Sequence, residues 1–447
     1  MRIPIILIMV LCSFLSFAQE NAQSFSLDEA IVFGLENNRI AKNAARDIDA
    51  AIEQKWETTA TGLPQLDADI GYQNWLKQQV SLIPSEFTGG PPGEFSEIVF
   101  GTQQTLTATA TVSQLLFDGS YLVGLQSAKV FLEISENAKE KTDLEVRKAV
   151  INAYGNVLLA EESVRILVSN VALVQKNLDE TQKIFENGLE EEESVEQLQI
   201  TLSGLESSLN NAVRLKVLAY QMFNITLGLD VNATTLLTDT LESLTTENID
   251  LNLLEADENI ENTVDYKIAE NDKVSKELLV KLEKSKALPV LKAFINGGYN
   301  GNSDDFTFVS SDQKWFGSSL IGVNMSIPIF SSLGRTAATN RAKINLEKAE
   351  EDLTQVEQEI RLQIATAKSD YQFAIEDYDN KISNLNLAER IESKNEIKFF
   401  EGIASSFELR QAQTQLFTAQ RELLVAMLDV INKKAELETV LNQVSQY

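Results

Sequence analysis

The side chains that most often catalyse reactions or hold metals are scarce in this chain. His is absent from all 447 residues, and Cys occurs once, at Cys12. The commonest general base and the commonest metal ligand are therefore both missing. No Ser-His-Asp or Cys-His arrangement can be built, and neither can a Cys-rich zinc site or an internal disulfide. Carboxylate is what the chain has in excess, with 66 Asp and Glu against 38 Lys and Arg and a formal net charge of −28. Such a balance argues against nucleic acid, because phosphate neutralisation needs a basic face. Paired acids exist, Asp67 and Asp69 among them, but no Gly-rich phosphate loop stands near. The expectation is a chain that is not an enzyme and uses neither cofactor nor metal. One acidic feature remains, the run Glu190 to Glu193 beside Gly188. It reads either as a solvated turn or as an electrostatic entrance that favours cations.

The elements that would carry these residues follow from periodicity. Arg2, the apolar run Ile5 to Phe17 and Ser16-Phe17-Ala18 before Gln19 read as a secretory signal over residues 1–18. No later stretch offers 18 apolar residues without charge, so a membrane-spanning helix is not expected, and any crossing must be by strands. Leu27 to Thr61 reads as one helix, with Ser26 and Glu29 as a capping box, stopped at Leu63-Pro64. The period then changes to two: Leu66, Ala68, Ile70 and Tyr72 alternate with Asp67, Asp69, Gly71 and Gln73. After a Gly- and Pro-rich loop at 89–93, Leu106, Ala108, Ala110 and Val112 alternate with Thr and Ser, which predicts a hairpin with one apolar face. A helix expected from Ser120 to Phe185 would run on the order of 100 Å. Asn187-Gly188 ends it, and a second helix follows to about Leu227.

The same order then recurs. Phe117 and Phe330, Tyr154 and Tyr371, and Gly188 and Gly402 each stand about 215 residues apart, so one half is duplicated. The expected organisation is a first repeat over 19–227, with strands at about 65–80 and 102–117. A connector over 228–257 leads to a second repeat over 258–447, with strands at about 290–300 and 318–330. Heptad traces (Leu346, Leu353, Ile360, Ala367, Ala374 and Ile364, Tyr371, Tyr378, Leu385) predict side-by-side helix packing, with both Tyr filling a core. The fold class is mainly α with membrane β, built from long coiled-coil-like helices and four strands. Strands of about ten residues suit an outer-membrane core. Four of them cannot close a barrel, and open edges are not tolerated in lipid, so several chains must share one. A soluble coiled-coil scaffold or adaptor, with the hairpins as a small sheet, is the alternative.

The motifs in this order resemble the TolC family of outer-membrane efflux proteins over nearly the whole length after residue 18. They are Ser26-Leu27-Asp28-Glu29-Ala30 with Asn37-Asn38, Leu63-Pro64, Leu115-Leu116-Phe117-Asp118-Gly119 and Ile327-Pro328-Ile329-Phe330. Phe185-Glu186-Asn187-Gly188-Leu189 and Phe400-Glu401-Gly402-Ile403 complete the set. The resemblance implies a homotrimer with a twelve-stranded barrel among outer-membrane lipid, in a Gram-negative cell. It further implies a helical tunnel reaching into the periplasm and an equatorial region at the connector. Gly188, Leu189, Gly402 and Ile403 would form tips that dock on a periplasmic adaptor, itself bound to an inner-membrane pump of RND or ABC type. The chain would be the passive exit duct of a tripartite efflux or type I secretion system. In relatives an aromatic, an Arg and acids close the periplasmic end. Carried over by position, the aromatic is Phe399 and one acid is Glu408, whereas the next acid is replaced by Gln411. The Arg is replaced by Ala404 and the first-half acid by Ser194, so the Arg–acid latch lacks its Arg. The candidate entrance is then Glu190, Glu191, Glu192, Glu193, Ser194, Phe399, Glu408 and Gln411.

Overall fold

The computed structural model describes residues 23–256 and 259–443. The signal segment over 1–18, and Cys12 within it, lie outside the described residues. The chain divides into two compact units, one of residues up to Ile48, Ile134–Glu270 and Glu351 onward, the other of Asp49–Glu133 and Asn271–Glu350.

The second of these holds a four-stranded antiparallel sheet in the order β2 (Gln65–Asn74), β5 (Gln104–Phe117), β7 (Val290–Ser303), β8 (Trp315–Ser326). Its register is continuous across all four strands until β5 slips by one residue against β7 between Leu115 and Phe117. One row joins Leu66, Val112, Ile295 and Ile321, and another joins Ile70, Ala108, Tyr299 and Gly317. The intervening rows are polar on the first strands, as in Asp69, Thr109, Gly298 and Ser318. There Asn296 donates to Thr111 Oγ1 at 2.7 Å. The alternation predicted from sequence thus sorts into an apolar and a largely polar face, although Phe294, Phe316 and Leu320 interrupt the latter. The apolar face is bare, with Leu66 71%, Ile70 79% and Ile321 78% exposed. Among the described residues neither the outer edge of β2 nor that of β8 has a strand partner.

Three details depart from expectation. The last strand ends at Ser326 rather than near 330, because Pro328 has no N–H to give a ladder and biases Ile327 before it. The segment expected as β to about residue 80 leaves the sheet after Asn74, and the Gly- and Pro-rich loop is flanked by an unforeseen hairpin, β3 (Val80–Pro84) with β4 (Phe95–Val99). Trp75 N donates to Gln103 O at 2.9 Å, so pairing continues a residue past the sheet before the chain bends. Finally, Leu27 to Thr61 is two helices, α1 (Leu27–Asn37) and α2 (Arg39–Ala60). The expected capping box forms between Ser26 and Glu29. The break is at Asn38, whose Oδ1 accepts from Ile40 N at 2.7 Å and Ala41 N at 3.3 Å while its Nδ2 donates to Thr226 O. An Asn with extended backbone is a strong N-cap, so it starts a new helix instead of continuing the old one.

Helices make up the first unit. α3 (Gly119–Glu186) and α7 (Gly334–Phe400) have 68 and 67 residues without a break and continue from one unit into the other. They are followed by α4 (Glu192–Leu227) and α8 (Ser406–Leu441), of 36 residues each. The connector, read as aperiodic, folds as β6 (Thr235–Leu237), α5 (Leu241–Glu247) and two 3-10 turns, with α6 (Val264–Ser285) after it. β6 pairs in parallel with β1 (Gln23–Phe25).

Two tyrosines on the long helices α3 and α7 pack in the same manner. Tyr154 and Tyr371 are each fully buried, at the centres of the two main cores. Tyr154 donates to Asp239 Oδ2 at 2.7 Å, and Tyr371 donates to Asn248 O at 2.6 Å while accepting from Asp250 N. Each half thus uses the same helical Tyr to tie the connector down. Filling a core is therefore half of what these residues do. A buried phenol also needs a polar partner, and the connector supplies it. Ile360, Ile364, Ala367, Ala374 and Tyr378 of the heptad traces are buried beside Tyr371.

Candidate tunnel entrance at the two helical turns

Both helical hairpins reverse through the same backbone device. Gly188 has φ +74° and Gly402 φ +73°. Gly188 N donates to Phe185 O at 2.7 Å and Leu189 N to Ile184 O at 3.1 Å, while Gly402 N donates to Phe399 O and Ile403 N to Lys398 O. These paired bonds are the Schellman closure, which satisfies the last helical carbonyls and requires a left-handed residue. A Cβ at either Gly would meet nothing within 4 Å. The demand for glycine is thus conformational and not steric. The next residues, Leu189 and Ile403, are 78% and 70% exposed, large apolar side chains held outward by the turn.

The structure brings the two turns together. Ser194 is buried; its Oγ donates to Glu190 Oε1 at 2.5 Å and lies 2.9 Å from Ser406 Oγ in the first turn of α8. Further along, Val174, Leu198 and Leu202 pack with Phe417, and Asn170 Nδ2 donates to Gln420 Oε1 at 2.9 Å.

The acidic run is not uniform. Glu190 is half-buried on Ser194, whereas Glu191, Glu192 and Glu193 are exposed, the last accepting from Gln197 Nε2 at 2.7 Å. Glu192 and Glu193 also occupy the first turn of α4, where a helix N-terminus favours negative charge. Glu408 has a local task that its position alone did not disclose. It closes a capping box with Ser405, accepting from Ser405 N at 2.8 Å, and these donors hold its carboxyl below the usual range. The signal was legible as Ser-x-x-Glu directly after a Gly turn. Phe399 is buried and packs edge-on against Phe400, with ring centroids 5.3 Å apart, so it anchors the end of α7. Gln411 is exposed. No carboxylate here is drawn into a cluster able to hold a metal among the described residues.

Several solved structures share this architecture. CusC, described in the context of transmembrane channel formation, superposes with a TM-score of 0.74 at 17% identity over 94% of this chain and 92% of its own. The outer membrane protein VceC of Vibrio cholerae superposes at 0.70, with 16% identity over 93% and 96% of the two chains. At such identities they establish the fold alone. In sequence, the outer membrane protein TolC of Vibrio cholerae is 23% identical over 427 residues, covering 92% of this chain and 89% of TolC. The outer membrane efflux protein family matches residues 34–221 and 275–443, so the chain belongs to that family, one of efflux channels rather than enzymes.

Proposed function

We propose that three copies of this chain complete one outer-membrane barrel and one helical tunnel, and that the assembly is the passive exit duct of a tripartite efflux or type I secretion system. The observation that carries this reading is the sheet β2-β5-β7-β8, whose apolar face is bare and whose two outer edges lack a strand partner among the described residues. Unpaired backbone in lipid costs several kcal/mol per group, so neighbouring chains must supply the missing edges. The glycine turns then form the periplasmic tips. Leu189 and Ile403 are the apolar contacts offered to a periplasmic adaptor, which links the duct to an inner-membrane pump that supplies the energy. Glu190 to Glu193 sit at the entrance and bias it toward cations.

Membrane fractionation with carbonate washing, followed by electrophoresis of heated and unheated samples, tests the proposal. The chain is expected in the outer-membrane fraction, migrating as a trimer that collapses on heating. A chain that washes off as a monomer would instead be a periplasmic scaffold.

A further inference from the structure

The two helical hairpins meet across a layer of buried polar side chains lying between the tips and the main cores. Asn170 and Gln420 fix the register between α3 and α8. Two helical turns nearer the tip on each helix stand Asn177 and Gln413, both fully buried. Thr181, also fully buried, lies one turn beyond Asn177 on the same face, and Glu392 of α7 is 7% exposed. Among the described residues, Asn177 Oδ1 and Nδ2, Thr181 Oγ1, Gln413 Oε1 and Nε2 and Glu392 Oε1 have no hydrogen-bond partner. Buried polar atoms are normally paired, and each one left unpaired weakens the packing that buries it. This layer is therefore the soft place in the contact between the hairpins. One of its members can change charge.

We propose that Glu392 is a protonation-controlled lock between the first-half and second-half hairpins, which stay packed while it is neutral and loosen when it ionises. The charged groups bearing on it are Glu396, one turn along its own helix, and Lys176 of α3, whose Nζ lies 3.7 Å from Glu396 Oε1. From α8 it faces the uncharged Gln413. Burial, then the neighbouring Glu396, raises the Glu392 carboxyl above its ordinary 4.5, while Gln413 and Lys176 act in the opposite direction. The sign follows. Packed, Glu392 holds its proton more tightly than it would in water. Below its ordinary range both arrangements are protonated and pH has no leverage. As pH climbs from there through the raised range, the packed arrangement loses stability relative to the separated one. Acid therefore closes the lock, and a rise in pH opens it. The consequence for opening a tunnel rests on the proposed function above; the packing of the hairpins does not.

Hydrogen–deuterium exchange of the full-length protein in nanodiscs tests the lock without any pump or cargo. Peptides over 170–200 and 390–415 are followed near about pH 5 and about pH 8, with chemical exchange rates corrected. Wild-type protein should be several-fold better protected at the lower pH. E392Q, fixed in the neutral state, should be protected at both, and E389Q, exposed on the same helix, should behave as wild type. Lys176 is 61% exposed, so K176Q will fold, and it should move the change in protection to higher pH. A wild-type protein without pH response, an E392Q that keeps it, or a K176Q that leaves the midpoint in place or lowers it would each overturn the proposal. Should E392Q fail to fold, K176Q decides alone.

Discussion

The sharpest test of the helical unit concerns a buried ion group on α3 and α8. Arg147 Nη1 donates to Glu438 Oε2 at 2.7 Å, with the side chains 6% and 1% exposed, and Lys434 Nζ stands 3.7 Å from Glu438 Oε1. One buried carboxylate is therefore flanked by two buried cations. Removing one partner of a buried pair typically costs about 3–5 kcal/mol, because the charge left behind cannot return to water. E438Q keeps the side-chain volume but withdraws the negative charge from both cations. R147M leaves Glu438 beside Lys434, so it should cost less than E438Q. For a unit of this size, a loss of that magnitude corresponds to a fall in Tm on the order of 10 °C. The assay is thermal unfolding of the purified protein in detergent, followed by helical circular dichroism. E145Q is the control, since the pair Lys148–Glu145 on the same helix is 2.8 Å long but 30% and 52% exposed. Exposed pairs contribute about 0–1 kcal/mol, and its Tm should barely move. The double variant R147M/E438Q should lose less than the two single losses added together. An E438Q protein that melts with E145Q would refute the reasoning, since the carboxylate would then have to be hydrated despite its burial.

Three other outcomes are expected. S194C/S406C places two sulfurs where oxygens now stand 2.9 Å apart, so oxidation should staple the two hairpins and lower conductance in planar bilayers, with reductant restoring it; an unchanged conductance would mean that the hairpins need not move. Replacing Glu190 to Glu193 with Gln should lower cation selectivity in the same recordings, and unchanged reversal potentials would leave the run as a solvated turn. G188V or G402V forces a side chain into a left-handed conformation at about 1–2 kcal/mol per site with no clash, so the tips should distort while the assembly persists on unheated gels; loss of the assembly would show that the turns lie elsewhere.

How far the sequence reached depended on whether neighbouring residues set the structure. Strict alternation at Leu66 to Gln73 and Thr105 to Ser113 was enough to place strands and their faces, because a strand's two sides are decided locally. The glycine turns were equally legible, since Gly after a long helical pattern is a helix terminator. In sequence the surroundings of Asn38 favour a continuous helix, and only the cap it forms with Ile40, together with its bond to Thr226 O, makes the break. The distal hairpin β3–β4 hid behind its Gly- and Pro-rich turn. At the tips, position alone marks Glu408 as a candidate entrance acid, and the structure adds its capping bond to Ser405 N. Asn177, Gln413 and Glu392 carry no signal of burial at all, for a polar residue in a long amphipathic helix is by default a solvated one. Their layer became visible only when two hairpins distant in sequence were set side by side.

The two bare strand edges also bear on how such a chain comes to exist. On the shared barrel proposed above, a single copy would have no resting place in a bilayer, since β2 and β8 would each present a row of amides to hydrocarbon. On that proposal, entry into the membrane and association with other copies would be one event, with a rate that rises steeply with the local concentration of chains. Until then the helical unit, whose cores are built within one chain, can fold ahead and carry its unfinished sheet with it. The step most exposed to aggregation is the wait of those edges for their neighbours, and it is there that a chaperone or an insertion machine would have to act.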